Sequence, residues 1–322
     1  MGRALVPLLE RKREDLRQHY GIEYRLTGVA TRRMGWIAAP DGFDPAHLLR
    51  GELPAQPAKL HNVRDWLRAA QANVLFEITS LNRETGQPAI DHLKAALELG
   101  AHAITANKGP VVHGYEELNA LAHQRGRKFL FESAVMDGVP IFCLFRETLP
   151  AVEVLGFRAI LNSTTNFVLQ QMEEGSTLNR AIFKAQELGV AETDPTDDLE
   201  GWDAAVKVAA LATVLMKMPL NPQQVTRQGI GELHPLAVQA ARRAGRPYKL
   251  LCQARRQGGS VHASVGPQQL PLSDALAWVN GTSSAICFET DIFPALTITE
   301  TDPGVTETAY GLLADLVRAV GV

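Results

Sequence analysis

The first third of the chain alternates apolar segments typical of buried strands with segments that have the apolar spacing of helices. The strand-like segments are 22–30, 74–78, 103–105 and 128–132. One helix between them begins near Pro88, carries the apolar stripe Ile90, Leu93 and Leu97, and ends at Gly100. A second spans Tyr115–Gln124. This alternation predicts a parallel sheet with right-handed crossovers, whose ligands bind at the carboxyl ends of the strands.

The chain opens directly as a helix. The apolar residues with helical spacing are Leu5, Leu8, Leu9 and Leu16. A dinucleotide-binding domain needs a first strand and a glycine-rich turn ahead of its first helix, because backbone N–H groups at the helix start hold the pyrophosphate. Gly2 is a candidate for the last glycine of such a turn, with the strand and the earlier glycines missing. Taken alone, a chain that starts in a helix is unremarkable.

The rest of the chain mixes short strands, polar turns and helices. Further predicted elements are strands over 152–160, 261–265 and 285–289, a helix opened by the polar turn 161–166, and a helix capped by Ser176. The last segment returns to a strand over 295–299 and a helix over Val305–Val320, typical of a closing helix that packs on the first domain. We therefore predict a discontinuous domain over 1–137 and 295–322 and a second domain over 138–294.

Composition excludes several classes of protein. The 322 residues are 46% hydrophobic and 21% charged, with a net charge of −3, which gives no support for a nucleic-acid partner. No apolar run approaches the roughly 18 residues that span a bilayer, and the charged residues at 10–13 argue against a signal peptide. Because Cys143, Cys252 and Cys287 are far apart and form no Cys/His cluster, we expect reduced thiols, a cytoplasmic protein and no zinc.

An acidic segment that leads into an apolar helix is the most informative chemical feature. It runs from Glu192 to Lys207. Asp203 and Lys207 are four residues apart, so their side chains emerge on one helix face. Asp198 precedes the helix, where the dipole favours negative charge. Considered alone, Asp-x-x-x-Lys is more often a surface ion pair that stabilises by about 0.3–0.5 kcal/mol; the alternative is one wall of a binding site.

Three of the predicted strand ends carry polar residues where a cofactor would bind. Ser80 follows the strand over 74–78, and Lys108 follows the strand over 103–105. Lys108 is either a positioned ammonium or an exposed loop lysine. Glu132 opens a loop shaped by Gly138 and Pro140, and one carboxylate with loop carbonyls can bind a hard cation. The other interpretation of that loop is a domain junction.

Two arginines follow the strand-like segment 22–30. NAD-preferring enzymes usually place Asp or Glu there to bind the ribose 2′-hydroxyl. This chain has Arg32 and Arg33 instead, which suit the 2′-phosphate of NADP or are simply surface residues.

Together these segments resemble the homoserine dehydrogenase family over essentially the whole chain. The matching segments are Thr105-Ala-Asn-Lys-Gly-Pro, Glu132-Ser-Ala-Val-Met-Asp-Gly-Val-Pro, Leu161-Asn-Ser-Thr-Thr-Asn-Phe and the run from Ala185 to Lys207. The resemblance implies a Rossmann-like α/β domain with a parallel sheet, lacking its first strand, and an α+β domain for substrate binding and dimerisation. It also implies NAD(P)-dependent interconversion of L-aspartate 4-semialdehyde and L-homoserine, in threonine, methionine and isoleucine biosynthesis, by a homodimer.

The resemblance also assigns roles to individual residues. Lys207 matches the catalytic lysine and Asp203 its acidic partner, while Glu192 and Asp198 match substrate-binding carboxylates. The residues expected to contact the cofactor are Lys108, which also lies near the substrate, Gly2, Arg32, Ser80 and Gly304. The family's sodium site corresponds to the side chain of Glu132 with the carbonyls of Val135, Asp137 and Val139.

The chain departs from the family pattern in two places. The opening strand and most of the glycine-rich turn are missing before Gly2, and the glycine-rich run ahead of the last helix is represented by Gly304 alone. The chain also stops after its closing helix, so no regulatory domain is expected. These departures leave two further hypotheses open: a non-catalytic relative that acts as a binding or oligomerising partner, and an incomplete copy of an active enzyme that starts at an internal methionine.

Overall fold

The structure, a computed structural model, describes residues 1–53 and 60–321. It divides into two compact units, a first unit of Met1–Pro140 with Gly304–Val322 and a second unit of Ile141–Pro303. Of the described residues, none belongs to a helix that is both long and apolar enough to cross a membrane. Among the described residues, Cys143, Cys252 and Cys287 form no disulfide.

The elements follow the chain in this order. The N-terminal part of the first unit contains α1 Gly2–Arg11, α2 Arg13–Tyr20, β1 Gly28–Thr31, β2 Gly35–Ala38, α3 Pro45–Arg50, α4 Val63–Ala70, β3 Val74–Glu77, α5 Ala89–Glu98, β4 His102–Thr105, α6 Lys108–His113, α7 Tyr115–Gln124 and β5 Phe129–Leu130. Those of the second unit are β6 Val154–Ile160, α8 Ser163–Glu173, α9 Leu178–Glu187, α10 Thr196–Leu199, α11 Trp202–Leu215, β7 Thr226–Arg227, α12 Pro235–Arg243, β8 Tyr248–Gln257, β9 Ser260–Gln269, β10 Ser284–Thr290 and β11 Leu296–Glu300. The closing helix α13, Val305–Val320, returns to the first unit.

The parallel sheet of the first unit has the predicted α/β pattern. Within the described residues its strand order is β3-β4-β5, and both neighbouring pairs are parallel. Helix α5 connects β3 to β4, and its stripe residues Leu93 and Leu97 are fully buried. The sheet and the mixed second unit confirm the predicted fold class.

The strand predicted over 22–30 does not join this sheet. Residues 21–27 have no regular secondary structure, and Gly28–Thr31 pairs antiparallel with Gly35–Ala38. Ile22, Tyr24 and Leu26 instead pack against the core around α1 and α13. Their alternating burial comes from this packing rather than from a parallel ladder, which corrects the sequence-based interpretation.

The closing helix packs on the first unit, as its apolar pattern predicts. Leu312, Leu313 and Leu316 share a core with the buried leucines of α1 and α2. A close backbone approach brings the helix against the loop that follows β5: a side chain at Gly138 would place its Cβ 2.3 Å from the carbonyl oxygen of Glu307. Only glycine fits at such a distance.

The second unit contains a mixed sheet in the order β11-β10-β6-β8-β9-β7. Residues 295–303, which the predicted domain boundary gave to the first domain, lie in this unit, because β11 pairs antiparallel with β10 from Ser284↔Glu300 to Phe288↔Leu296. The helix predicted to be capped by Ser176 is capped by Thr177, whose hydroxyl lies 3.4 Å from the N–H of Arg180.

Candidate active site

The acidic segment and the apolar helix form one cluster in the second unit. Gly201, at φ 79°, turns the chain from α10 into α11. Lys207 and Asp203 do lie on one helix face: Nζ of Lys207 is 3.4 Å from Oδ2 of Asp203, and the two side chains are only 16% and 18% exposed. The same Nζ donates a hydrogen bond of 2.6 Å to the carbonyl oxygen of Leu161 at the end of β6. The ammonium is therefore fixed from two sides rather than exposed at the surface.

Asn162 connects this lysine–aspartate pair to a second carboxylate. Its Nδ2 donates to Oδ1 of Asp198 at 2.7 Å and to Oδ2 of Asp203 at 3.1 Å. Its Oδ1 accepts from the N–H of Thr165 at 2.8 Å and so caps α8. The sequence indicated the polar turn but did not assign Asn162 a site role, because its partners lie 36 and 41 positions along the chain.

Burial and a neighbouring charge shift the pKa of Asp198. Burial raises the pKa of Asp198, and the neighbouring charge of Asp203 raises it further, against the lowering effects of Asn162, Thr164 and Lys207. Burial also raises the pKa of the nearby Cys252 thiol to about 12. Cys252 is therefore protonated at neutral pH and does not compete with Lys207 as a base or nucleophile.

Glu192 does not join this cluster. Its side chain is exposed and makes no hydrogen bond or ion pair with other residues that the structure describes. Only its main-chain carbonyl is engaged, by Nε2 of Gln186 at 3.3 Å. A substrate-binding role for Glu192 stays a prediction.

The first unit places two of the predicted cofactor residues at the carboxyl ends of β3 and β4. Ser80 is exposed in the loop after β3, and Lys108 is the first residue of α6 after β4. Asn107, which the sequence did not single out, joins the two loops because its Nδ2 donates to the carbonyls of Thr79 at 3.1 Å and Ser80 at 3.3 Å. This is the edge of a parallel sheet at which ligands bind.

The remaining cofactor candidates lie elsewhere in the first unit. Gly2 begins α1, and a Cβ at this position would lie 3.1 Å from Cδ1 of Ile78. Arg32 is exposed in the turn between β1 and β2, so it does not follow a strand of the parallel sheet as predicted. Gly304 precedes α13, and its N–H donates to Oε2 of Glu307 at 2.9 Å.

The loop after β5 is held against α13. Glu132 is 2% exposed, its N–H donates to Oδ2 of Asp315 at 2.8 Å, and its Oε2 lies 3.8 Å from Nη1 of Arg318. Asp137 has a left-handed backbone, φ 42°, and its carboxylate accepts from the hydroxyl of Thr308 at 2.6 Å.

The other two predicted sodium ligands lie in the same loop. Val135 is buried, and the N–H of Val139 donates to the carbonyl of Met136. Among the residues described, no three or more His, Cys, Asp or Glu side chains form a group that could hold a metal. A cation here would rely mainly on loop carbonyls.

Comparison with known proteins gives matches along both units. The family model for the homoserine dehydrogenase NAD-binding domain matches residues 1–132, and that for homoserine dehydrogenase matches residues 140–317. An NAD(+)-dependent homoserine dehydrogenase of Pseudomonas canavaninivorans is 35% identical over 99% of this chain and 93% of its own length. The homoserine dehydrogenase of Methanocaldococcus jannaschii is 34% identical over 99% of this chain and 95% of its own length.

Solved structures agree with these relatives. The crystal structure of a putative homoserine dehydrogenase from Archaeoglobus fulgidus superposes with a TM-score of 0.87 at 30% identity, covering 100% of this chain and 96% of that one. A hyperthermophilic archaeal homoserine dehydrogenase in complex with NADPH superposes with a TM-score of 0.82 at 28% identity, covering 99% of this chain and 94% of that one. These matches do not favour the non-catalytic alternative. Two family models in tandem and relatives matched nearly end to end show that the chain belongs to the homoserine dehydrogenases, oxidoreductases with a nicotinamide-dinucleotide-binding domain.

Proposed function

We propose that this homoserine dehydrogenase uses Lys207 as the acid that protonates the aldehyde oxygen of L-aspartate 4-semialdehyde during reduction to L-homoserine. The observation that carries the proposal is the double fixation of Nζ by the carbonyl of Leu161 and the carboxylate of Asp203. A carboxylate 3.4 Å away favours the charged form of the amine. An oriented ammonium can both stabilise negative charge on a carbonyl oxygen and donate the proton to it.

The cofactor and the lysine have separate tasks. When bound, the nicotinamide cofactor supplies the hydride that forms the new C–H bond at the aldehyde carbon. Lys207 gives the proton that forms the O–H bond, as one of its N–H bonds breaks. In homoserine oxidation the neutral amine takes that proton back.

The carboxylates near Lys207 suit an amino-acid substrate. Asp198 lies next to Asp203 on the shared Asn162 amide, and we assign it to the substrate's α-ammonium. A charged partner for that ammonium strengthens the hydrogen bond. Glu192 is a second candidate for this group, supported by its match to the family motif rather than by a contact in the structure.

The parallel-sheet edge of the first unit fits a nicotinamide dinucleotide, and we assign Ser80 and Lys108 to its binding, with Gly2 and Gly304 as further backbone contacts. For the choice of dinucleotide we propose NADP, with NAD as the alternative. Arg32 supports NADP, as does the archaeal relative in complex with NADPH. The relative from Pseudomonas canavaninivorans, by its name, uses NAD(+), so the two cofactors need to be compared directly.

We further propose a sodium ion at the loop after β5 and a homodimer through the second unit. The buried Glu132 carboxylate beside the loop carbonyls of Val135, Asp137 and Val139 supports the first. For the dimer, the support is that the second unit exposes large apolar side chains, among them Trp278 and Ile292, 58% and 62% exposed. Light scattering on the purified enzyme should give twice the chain mass.

The test is NADP- and NAD-dependent oxidation of homoserine by the wild type and by Lys207→Ala. We expect kcat to fall about 10²–10⁴-fold on loss of the proton-transfer group. Lys94→Ala is the matched control, because Lys94 is a partly exposed lysine of α5 paired with Glu117, and it should retain wild-type kinetics. A Lys207→Ala enzyme with wild-type kcat would refute the proposal.

A further inference from the structure

A buried carboxylate lies at the carboxyl end of β3, and the proposed reaction does not use it. Glu77 is 2% exposed. Its Oε1 accepts a hydrogen bond of 3.0 Å from the N–H of Thr79 and another from the Thr79 hydroxyl. The hydroxyl of Thr105 on β4 donates to the main-chain carbonyl of Glu77 at 2.9 Å, and its oxygen lies 3.1 Å from Oε2 of the carboxylate. Glu77 therefore joins the ends of two neighbouring strands of the parallel sheet.

Glu77 keeps its charge despite its burial. Burial acts to raise its pKa, but the interactions with His92, Thr79 and Thr105 outweigh that effect and hold the pKa below the ordinary 4.5. Nδ1 of His92 lies 3.8 Å from Oε1. Since an ion in a protein interior costs several kcal/mol unless its partners compensate, an apolar residue of similar size would often be at least as stable. A role in stability is therefore not the only one open to this carboxylate.

The hydrogen bonds continue from Thr105 to Asn107. The Thr105 hydroxyl accepts from the N–H of Asn107 at 2.9 Å. Asn107 in turn donates through Nδ2 to the carbonyls of Thr79 and Ser80, and its Oδ1 accepts from the N–H of Gly109 at 2.9 Å. The same side chain thus holds the loop that carries Ser80 and the helix start that carries Lys108.

Close packing leaves these loops little freedom. A Cβ at Gly109 would lie 2.8 Å from the Cα of Gly86, and one at Gly86 would lie 2.9 Å from the carbonyl oxygen of Gly109. Because the backbones are this close, the surrounding residues have little room to shift. We therefore expect a change in the hydrogen bonds to alter the orientation of Ser80 and Lys108.

We infer that Glu77, Thr105 and Asn107 form a positioning network that sets the two cofactor-binding loops in their productive geometry. None of the three needs to touch the substrate. The inference rests on the proposed roles of Ser80 and Lys108. Its consequence is that loss of the network weakens cofactor binding and lowers kcat, with a smaller effect on the KM for homoserine because Lys108 also lies near the substrate.

The first test compares Thr105→Val with Thr105→Ser. Valine matches the shape of threonine without the hydroxyl, whereas serine keeps the hydroxyl. We expect Thr105→Val to raise the Kd of NADPH, measured by its fluorescence on binding, about tenfold and to lower kcat, with a smaller rise in the KM for homoserine. Thr105→Ser should restore both values to within about threefold.

A matched control is Thr213→Val in the second unit. Thr213 is also buried and its hydroxyl accepts one backbone N–H, that of Leu220. This change should lower the melting temperature and leave the Kd of NADPH unchanged. If Thr105→Val likewise lowers only the melting temperature, with Kd and kcat per folded molecule unchanged, the network is merely structural and the inference is wrong.

Asn107→Asp provides an independent test if Thr105→Val does not fold. It keeps the oxygen that accepts from Gly109 but replaces the Nδ2 donor with an acceptor facing the carbonyls of Thr79 and Ser80. The Kd of NADPH should again rise at least tenfold, and a wild-type Kd would overturn the inference. Because this titration needs no turnover, it stays informative even if Lys207→Ala proves active and the proposed acid is wrong.

Discussion

Replacement of Asp198 by Asn should raise the free energy of unfolding of the protein and lower its kcat/KM for homoserine. Oδ1 of Asp198 and Oδ2 of Asp203 accept from the same amide nitrogen, at 2.7 and 3.1 Å. Two unit charges about 5 Å apart repel by about 3 kcal/mol at an effective dielectric constant of about 20. Because Asn162 and Lys207 offset much of this repulsion, we expect a net gain of about 1 kcal/mol at neutral pH from removing one charge.

The gain depends on pH in a defined direction. The pKa of Asp198 is raised in the folded protein above its ordinary 3.8, so the ionised form is the one that the fold disfavours. The contribution of Asp198 to the free energy of unfolding of the wild type is therefore complete below pH 3.8. It is lost as the pH rises through the raised pKa. The advantage of Asp198→Asn should be larger at pH 8 than at pH 4.5.

The assay is calorimetric melting of both proteins at these two pH values, with homoserine kinetics alongside. For a unit of this size, 1 kcal/mol corresponds to about 2–4 °C in the melting temperature. The kcat/KM for homoserine should fall at least about tenfold, because a hydrogen bond to a charged group is worth about 1.5–3 kcal/mol. Asp197→Asn, a change at an exposed position of the same helix, should alter neither the melting temperature nor the kcat/KM for homoserine. An unchanged or lower melting temperature for Asp198→Asn at pH 8 would refute the reasoning.

Three further predictions concern the supports of the site. Gly138→Ala should lower the free energy of unfolding of the first unit in urea by about 1–3 kcal/mol or more, because its Cβ would meet the Glu307 carbonyl at 2.3 Å. Gly231→Ala, with open space around it, should change the free energy of unfolding of the second unit by less than about 0.5 kcal/mol. Asn162→Ala should destabilise the second unit by about 3 kcal/mol in the same assay, since it loses a helix cap and two hydrogen bonds to carboxylates. Arg32→Glu should raise the KM for NADP at least tenfold more than the KM for NAD. Equal changes in the two KM values would show that Arg32 does not bind the 2′-phosphate.

Local sequence patterns predicted the elements whose burial follows a helical period. The closing helix Val305–Val320 has its predicted bounds because Leu312, Leu313 and Leu316 form one apolar face toward a single core. The same kind of inference failed at 22–30. There, the alternating apolar residues Ile22, Tyr24 and Leu26 pack on that core from a segment without regular secondary structure, and alternation alone does not distinguish the two cases.

The candidate site was predictable only where its geometry is local. Asp203 and Lys207 are one helical turn apart, so their spacing in the sequence fixes their spacing in space. Asn162, Glu77 and Asn107 also bind partners two or three residues away, but their site roles depend on contacts with other elements, which their sequence neighbours do not indicate. The boundary of the second unit could not be predicted locally either, because the unit to which β11 belongs depends on its antiparallel pairing with β10.

Chemical rescue of Lys207→Ala tests the central claim most directly. With saturating homoserine and cofactor, the variant should be nearly inactive, and ethylamine should restore part of kcat in proportion to its concentration. Trimethylamine, which is bulkier, should not. A variant that is active without added amine, or one that binds substrate and cofactor normally and that no small amine rescues, would contradict the assignment of Lys207 as the proton donor.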